Sequence, residues 1–182
     1  DAFVYDYPLG RAHYGDLGYC AIARVLAQDI RTLPALGLNG YCSCQELRAA
    51  LPNAWPNYLM GHMLWDSSLD PQQLQEEYFT ALYGPGAADA RAALEELSAL
   101  TSPDYFNGIG PRQDPEQAAR FRKAEQAAAA LGELAAKNQT LCTGMNKFAW
   151  ELLDYHAGYC KLMAEALAAL AAGETKRAQQ RW

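Results

Sequence analysis

The sequence predicts a chain that is mainly α-helical with a small parallel β part. Three observations support this fold class. Aromatic and β-branched runs at Phe3–Tyr7 and Tyr41–Gln45 indicate two short strands. A helical pattern separates these runs, and capped amphipathic helices fill the rest of the chain. Two strands joined through one helix form a βαβ unit, and the strands of such a unit run parallel.

The βαβ unit is bounded by residues that interrupt regular structure. Pro8 ends the first strand, and Asp16 is placed to cap the connecting helix. Pro34 and Gly37 end that helix, and the turn Leu38–Gly40 leads into the second strand. The apolar positions of the helix lie close to helical spacing and are Leu17, Cys20, Ala21, Val25 and Ile30.

Three helices are predicted after the second strand. An aromatic-rich helix begins at Pro56 and runs to Trp65. Asp70 is a strong helix start, because proline follows it directly and glutamine comes three residues later. The Ala87–Leu100 segment is again amphipathic. The inward face of the helix capped by Asp70 is predicted to hold Leu74, Tyr78 and Leu82.

Two long helices at 114–172 predict an antiparallel hairpin. Asp114 caps the first, which runs to about Lys137, and the second runs from about Leu141 to Ala172. The polar tail Glu174–Trp182 is expected to fray. The inward residues are predicted to be Phe121, Ala128, Leu131 and Ala135 on the first helix, and Met145, Phe148, Leu152, His156, Tyr159, Met163 and Leu170 on the second. Residues 1–52 are therefore predicted to form the βαβ part, and residues 53–182 a C-terminal helical domain.

Composition limits the classes of partner. The 182 residues carry a formal net charge of -6, and a nucleic-acid binder would need a basic face instead. No apolar run approaches the roughly 20 residues that cross a bilayer. The five cysteines lack the paired spacing of a zinc site, so no metal and no cofactor is expected. Free thiols favour a reducing compartment such as the cytoplasm, although the sequence leaves localisation open.

The segment from Glu46 to Pro85 carries a resemblance to a known family. Its cues are Glu46-Leu47-Arg48, then Tyr58-Leu59 with Leu64-Trp65-Asp66, then Asp70 and finally Tyr83-Gly84-Pro85. This pattern resembles the end of a family of bacterial glycoside-hydrolase-like proteins, long catalogued as a domain of unknown function and similar to α-glucuronidases and hexosaminidases. The resemblance covers roughly residues 1 to 100.

The resemblance implies a carbohydrate substrate and a (β/α)₈ barrel, of which this chain holds the terminal βαβ unit followed by a helical bundle. Phe3–Tyr7 and Tyr41–Gln45 are then the last two barrel strands. The earlier strands are missing, and in related hydrolases the acid catalyst lies on one of them. We therefore expect the chain to be a piece of a longer protein and to be inactive alone, with its catalytic residues unassigned.

Polar and aromatic residues at the two strand ends are the candidate substrate-binding residues. Asp6 and Glu46 follow neighbouring parallel strands, where active sites of α/β enzymes lie, and Gln45 precedes Glu46. Glycoside hydrolysis uses two carboxylates, roughly 5 Å apart for retention and 6.5–9.5 Å apart for inversion. The alternative is that Asp6 caps a loop and that Glu46 pairs with a neighbour. The aromatic candidates for stacking on a sugar are Tyr5, Tyr7 and Trp55, with core packing as the alternative for each.

Two function hypotheses follow. In the first, the chain is the C-terminal part of a glycoside hydrolase that contributes substrate-positioning residues and a supporting helical domain. In the second, it is a non-catalytic helical interaction or scaffold domain, with the strand-end side chains capped locally and an apolar groove on the hairpin. A lone pair of strands has two open edges, so we expect it to be covered by the rest of the parent barrel or by self-association.

Overall fold

The computed structural model describes residues 2–9, 15–44 and 51–181. Their elements, in chain order, are β1 (Ala2–Asp6), α1 (Cys20–Thr32), β2 (Leu38–Ser43), α2 (Trp55–Trp65), α3 (Pro71–Tyr83), α4 (Ala87–Leu100), α5 (Pro103–Phe106), α6 (Pro115–Gln139), α7 (Gly144–Ala171) and α8 (Thr175–Arg181). Short 3₁₀ turns lie at Pro34–Leu36 and Gly84–Gly86.

The two strands pair in parallel, with α1 as their connection. Tyr5 lies opposite Cys42, and Asp6 lies opposite Ser43. The predicted fold class, mainly α with a small parallel β part, is therefore confirmed. Neither strand contains a buried residue, so the sheet contributes little to the core.

The second strand begins three residues earlier than the sequence pattern predicted, and the predicted turn Leu38–Gly40 is part of it. The chain reverses before this point. The 3₁₀ turn ends at Gly37, whose φ of 71° is readily adopted only by glycine and whose N–H donates to the Pro34 carbonyl at 3.1 Å. Gly40 lies opposite Phe3, and a Cβ at Gly40 would stand 2.9 Å from the Phe3 side chain. The glycine marks close packing between strands, not a turn.

The helices share one large hydrophobic core. It joins α1, α2, α3, α4, α6 and α7 through residues such as Leu26, Leu59, Phe79, Leu94 and Trp150. A smaller cluster around Tyr105 and Phe121 packs against the C-terminal part of α7. The helix α1 of the βαβ unit thus packs into the same core as the later helices, while the proposed division at residues 52 and 53 stays a prediction.

The helix starts predicted at Asp70 and Asp114 are confirmed by the hydrogen bonds of these two caps. Asp70 accepts a hydrogen bond from Gln72 N at 3.0 Å, and Asp114 accepts from Glu116 N and Gln117 N. All four predicted inward residues of α6 are buried. The helices α6 and α7, joined by the turn at 140–143, form the predicted hairpin.

The inward faces of α1, α3 and α7 agree with the prediction only in part. On α7, Met145 and Phe148 are exposed, whereas Trp150 and Leu153 are completely buried. The contact with α6 is made largely by alanines, so the large side chains do not mark the buried face. On α1, Val25 was predicted to face inward but is 59% exposed, and the adjacent residues Leu26 and Ala27 are buried instead. On α3, the buried residues are Leu74, Phe79 and Tyr83, and Tyr78 and Leu82 are only partly buried.

The prediction that the C-terminal tail frays is wrong. Residues Thr175–Arg181 form α8, and Ala178 is buried. Arg181 reaches back to Glu165 on α7, with Nε and Oε2 3.0 Å apart. The tail is therefore a docked helix.

The segment before α1 is held by a buried carboxylate. Asp16 is 1% exposed and accepts hydrogen bonds from Ile22 N at 2.8 Å and from the Ser98 hydroxyl at 2.6 Å. Ser98 Oγ accepts in turn from Cys20 N at 3.0 Å. At Gly18 the backbone is so close to α4 that a Cβ would stand 1.8 Å from the Leu94 carbonyl oxygen. These contacts hold the start of α1 against α4.

A second buried contact ties the same segment to α7. His156 Nε2 lies 2.7 Å from the Leu17 carbonyl oxygen, and the neutral ring therefore carries its proton on Nε2. Cys160 Sγ lies 3.1 Å from the same nitrogen. Burial lowers the pKa of His156 to about 4, because the charged imidazolium loses its hydration there.

Removing the Ser98 hydroxyl tests the buried carboxylate. Ser98→Ala leaves Asp16 without its side-chain donor and Cys20 N without its acceptor, so the free energy of unfolding should fall by about 2–3 kcal/mol. Ser68→Ala is the matched control, because Ser68 makes an equally short hydrogen bond to Asp66 on the surface. It should cost less than about 0.5 kcal/mol in urea unfolding. Equal losses in the two variants would contradict the assignment.

Acid should destabilise the fold through His156. Between its ordinary pKa of 6.5 and its folded pKa of about 4, only the unfolded chain binds the proton. The contribution of neutral His156 to the free energy of unfolding is therefore fully present above pH 6.5. It is lost as the pH falls toward 4, by about 3 kcal/mol in total. His156→Gln keeps a donor for the Leu17 carbonyl and should remove this part of the pH dependence.

The measurement is the unfolding free energy as a function of pH, taken as wild type minus variant so that carboxylate titrations cancel. His62→Gln is the control, because His62 is exposed on α2. A pH profile that is unchanged by His156→Gln would argue against the buried imidazole as its source.

Candidate functional site

Two tyrosines form the exposed aromatic group at the end of β1. Tyr5 and Tyr7 are 57% and 55% exposed, and their ring centroids are 5.2 Å apart in an edge-to-face arrangement. Their phenol oxygens are 2.9 Å apart. This hydrogen bond is the main cause that raises the pKa of Tyr5. The pair therefore presents flat apolar ring surface together with hydroxyl groups.

Asp6 is held by its neighbours. Its Oδ1 accepts from Tyr7 N at 2.7 Å, and its Oδ2 accepts from the Tyr41 hydroxyl at 3.2 Å. Partial burial, followed by the nearby Asp6 charge, raises the pKa of Tyr41 to about 12. Tyr41 is thus a neutral donor to the carboxylate. These hydrogen bonds agree with the local capping that the sequence left open as an alternative, and contact of Asp6 with a sugar stays a prediction.

The strand residues divide between two faces of the sheet. The face we call the aromatic face consists of Phe3, Tyr5, Tyr7, Cys42 and Cys44, all of them exposed. The opposite face, the carboxylate face, consists of Val4, Asp6, Tyr41 and Ser43, which are partly buried. It lies on the side of α1, since Tyr41 lines a groove together with Ile30 and Leu33. Asp6 and the two tyrosines therefore point to opposite sides of the sheet.

Of the remaining predicted site residues, Trp55 is not brought to this place. Gln45 and Glu46 lie outside the described residues, so their pairing with Asp6 stays a prediction. Trp55 begins α2 and is 3% exposed, in contact with Tyr58, Tyr78 and Phe79. Its ring packs in the core, so it offers no open face for stacking on a sugar.

The sequence reasoning missed Tyr41 as the partner of Asp6. The strand pattern gives part of the information needed, because it places Tyr41 on the strand next to that of Asp6. Placing it beside Asp6 also requires the register, which pairs Val4 with Tyr41, and an early start of β2. Neither can be read from the strand pattern alone.

The described cysteines do not form a metal centre. Cys42 and Cys44 are exposed on one face, as their spacing predicted, and Cys20 and Cys160 are buried in the core. Within residues 2–9, 15–44 and 51–181, no three histidine, cysteine or acidic side chains are grouped as metal ligands. Burial raises the pKa of both core thiols, which keeps them protonated and unreactive.

A family model described as a domain of unknown function, DUF4838, matches residues 2–96. The match spans more than half of the chain and includes both strands, α1 to α3 and most of α4. No curated protein and no solved structure matches the chain. Among the helices of the described residues, none combines the length and the apolar character that a bilayer span requires.

Thiol labelling should distinguish the exposed cysteines of the aromatic face from the buried cysteines of the core. In the native chain an alkylating reagent should modify Cys42 and Cys44 rapidly, because they are exposed, and should leave Cys20 and Cys160 unmodified until unfolding. Mass spectrometry of peptides after a short pulse of reagent measures each site. Labelling of Cys160 at the rate of Cys42 would contradict the described burial. Protection of Cys42 and Cys44 that grows with protein concentration would indicate that a second copy covers the aromatic face.

Proposed function

The chain belongs to the family described as domain of unknown function DUF4838, and from this premise we propose that it forms part of an enzyme of the glycoside hydrolase type. In this proposal it contributes side chains that contact a carbohydrate and a helical region that supports them. Its role is substrate positioning, not bond cleavage.

The parallel pairing of β1 and β2 is the observation that carries the proposal. It brings the ends of both strands to one edge, where the loops of α/β enzymes bind their substrates. At that edge Tyr5 and Tyr7 expose their rings. A sugar ring has an apolar face of C–H groups and a rim of hydroxyls, which match an aromatic ring and its phenol hydroxyl.

The described residues support positioning better than catalysis. Both Asp6 oxygens already accept hydrogen bonds from Tyr7 N and the Tyr41 hydroxyl, so this side chain is held in one position. Cleavage of a glycosidic bond requires a second carboxyl group at a defined distance. We propose that the acid catalyst lies on an earlier strand of the parent barrel, and the catalytic residues stay unassigned.

The uncovered sheet favours further strands beside this pair. Phe3 is 69% exposed on the aromatic face, and β1 and β2 pair only with each other among the described residues. An isolated pair of parallel strands with open edges and no buried residue is marginal in water. We propose that the rest of a barrel, or a second copy of this chain, supplies the cover.

A helical scaffold is the second candidate, and a specific observation favours it. The outer side of α7 exposes large side chains at seven-residue intervals, namely Phe148, Tyr155 and Leu162. That spacing forms one face of a helix, which is the pattern of a surface that packs against another helix. In this alternative Asp6 is a structural cap.

Sugar binding to the full chain separates the two candidates. Tyr5→Ala and Tyr7→Ala should each weaken binding of an oligosaccharide from a neutral glycan panel by roughly two- to tenfold, because each removes one stacking ring. Tyr155→Ala is the matched control, since Tyr155 is an equally exposed tyrosine on α7. Isothermal titration calorimetry measures the affinities. Equal losses of oligosaccharide affinity in all three variants would contradict the aromatic face as the contact, and a wild-type chain that binds no glycan of the panel would favour the scaffold.

A further inference from the structure

A second concave site lies among the helices, apart from the sheet. This cleft has a volume of about 410 Å³ and is bounded by α1 on one side and by α3 and α4 on the other. Its floor includes Trp55 and Leu59 of α2. The volume falls within the range of small-molecule sites, and no described strand residue lines it. The cleft is therefore separate from the aromatic face and does not rest on the function proposed for that face.

The polar walls of the cleft are held in position by cross-links between helices. Arg24 of α1 forms an ion pair with Glu95 of α4. Glu95 also accepts from Gln75 Nε2 of α3 at 3.1 Å. Arg31 donates one N–H to the Leu69 carbonyl at 2.8 Å, just before α3. Groups that are fixed in this way cost less entropy to order when a ligand binds.

Several hydrogen-bonding groups of the cleft remain unused. Each guanidinium has five N–H donors, and Arg31 uses one of them in the bond above. The side-chain amides of Gln28 and Gln72, which line the cleft, make no hydrogen bond within the described residues. Trp55 Nε1 is buried and has no partner in the same part of the chain. Buried donors without an acceptor are rare.

The charge of the lining is balanced. Arg24 and Arg31 face Glu95 and Asp70 across the cleft. A strongly anionic ligand would meet the two carboxylates, and a cationic ligand would meet the two guanidinium groups. The amide, guanidinium and carboxylate groups are planar and present two adjacent polar atoms each, which match neighbouring hydroxyls that both donate and accept.

We propose that this cleft binds a small neutral polyol of monosaccharide size. The ligand lies between the α1 wall and Gln75, and its hydroxyls use the free amides and guanidinium N–H groups. This site lies among the helices and is independent of the sugar contact proposed at the strand ends.

Titration of the full chain with three matched sugars tests the ligand class. The probes are D-glucose, its carboxylate analogue D-glucuronate and its ammonium analogue D-glucosamine. We expect glucose to shift the side-chain amide signals of Gln28, Gln72 and Gln75 in two-dimensional NMR, and the charged analogues to bind at least about threefold more weakly. Tighter binding of either charged analogue, or no shift with any of the three sugars, would overturn the proposal.

Two variants place the ligand in the cleft. Gln75→Leu should weaken glucose binding about three- to tenfold, because a hydrogen-bonding wall is replaced by an apolar one. Gln73→Leu is the matched control on the same helix, since Gln73 bonds to Glu77 on the exposed side and does not line the cleft. Equal losses in the two variants, or loss in Tyr5→Ala instead, would place the sugar elsewhere and refute the site.

Discussion

The buried carboxylate of Asp16 is the constraint on which the arrangement of the chain depends. A carboxylate removed from water must be fully hydrogen-bonded, and here the donors come from Ile22 N in α1 and from Ser98 in α4. The neighbouring Leu17 carbonyl contacts His156 of α7. One short segment therefore connects three helices. Because these contacts are directional, they determine the orientation of α1 more narrowly than apolar packing alone would.

The orientation of α1 in turn determines both concave regions of the molecule. One side of the helix, with Leu26 and Ile30, packs into the common core. Another side carries Arg24 and Arg31 along the cleft. The C-terminal end passes through the 3₁₀ turn at Pro34–Leu36 directly into β2 and so places β2 beside β1. A change in the Asp16 contacts should therefore disturb the cleft and the sheet together, although neither touches Asp16.

The parts of the fold that the sequence predicted are those determined by neighbouring residues. The caps at Asp70 and Asp114 form as predicted because a side chain and a backbone N–H two residues away are sufficient for them. The inward face of α7 was assigned wrongly at its start, at Met145 and Phe148, because alanines make much of the contact with α6 and small residues carry little hydrophobic signal. The contact between Tyr41 and Asp6 requires the register of two strands that are 35 residues apart. The cleft requires four segments to meet, and no spacing in the sequence indicates such a meeting.

The two proposals for the aromatic face, cover by other protein segments and contact with a sugar, conflict at first sight. A face that other protein segments cover is closed to sugar, and a face that stays open leaves apolar side chains in water. The order of residues along β1 divides the two roles. Phe3, near the start of the strand, has no polar group and suits packing against further strands. Tyr7 follows the end of the strand and carries a hydroxyl bonded to Tyr5, so it suits a ligand at the open edge. Cover of the early part of β1 is therefore compatible with sugar contact at its end, and the two requirements fall on different residues of one face.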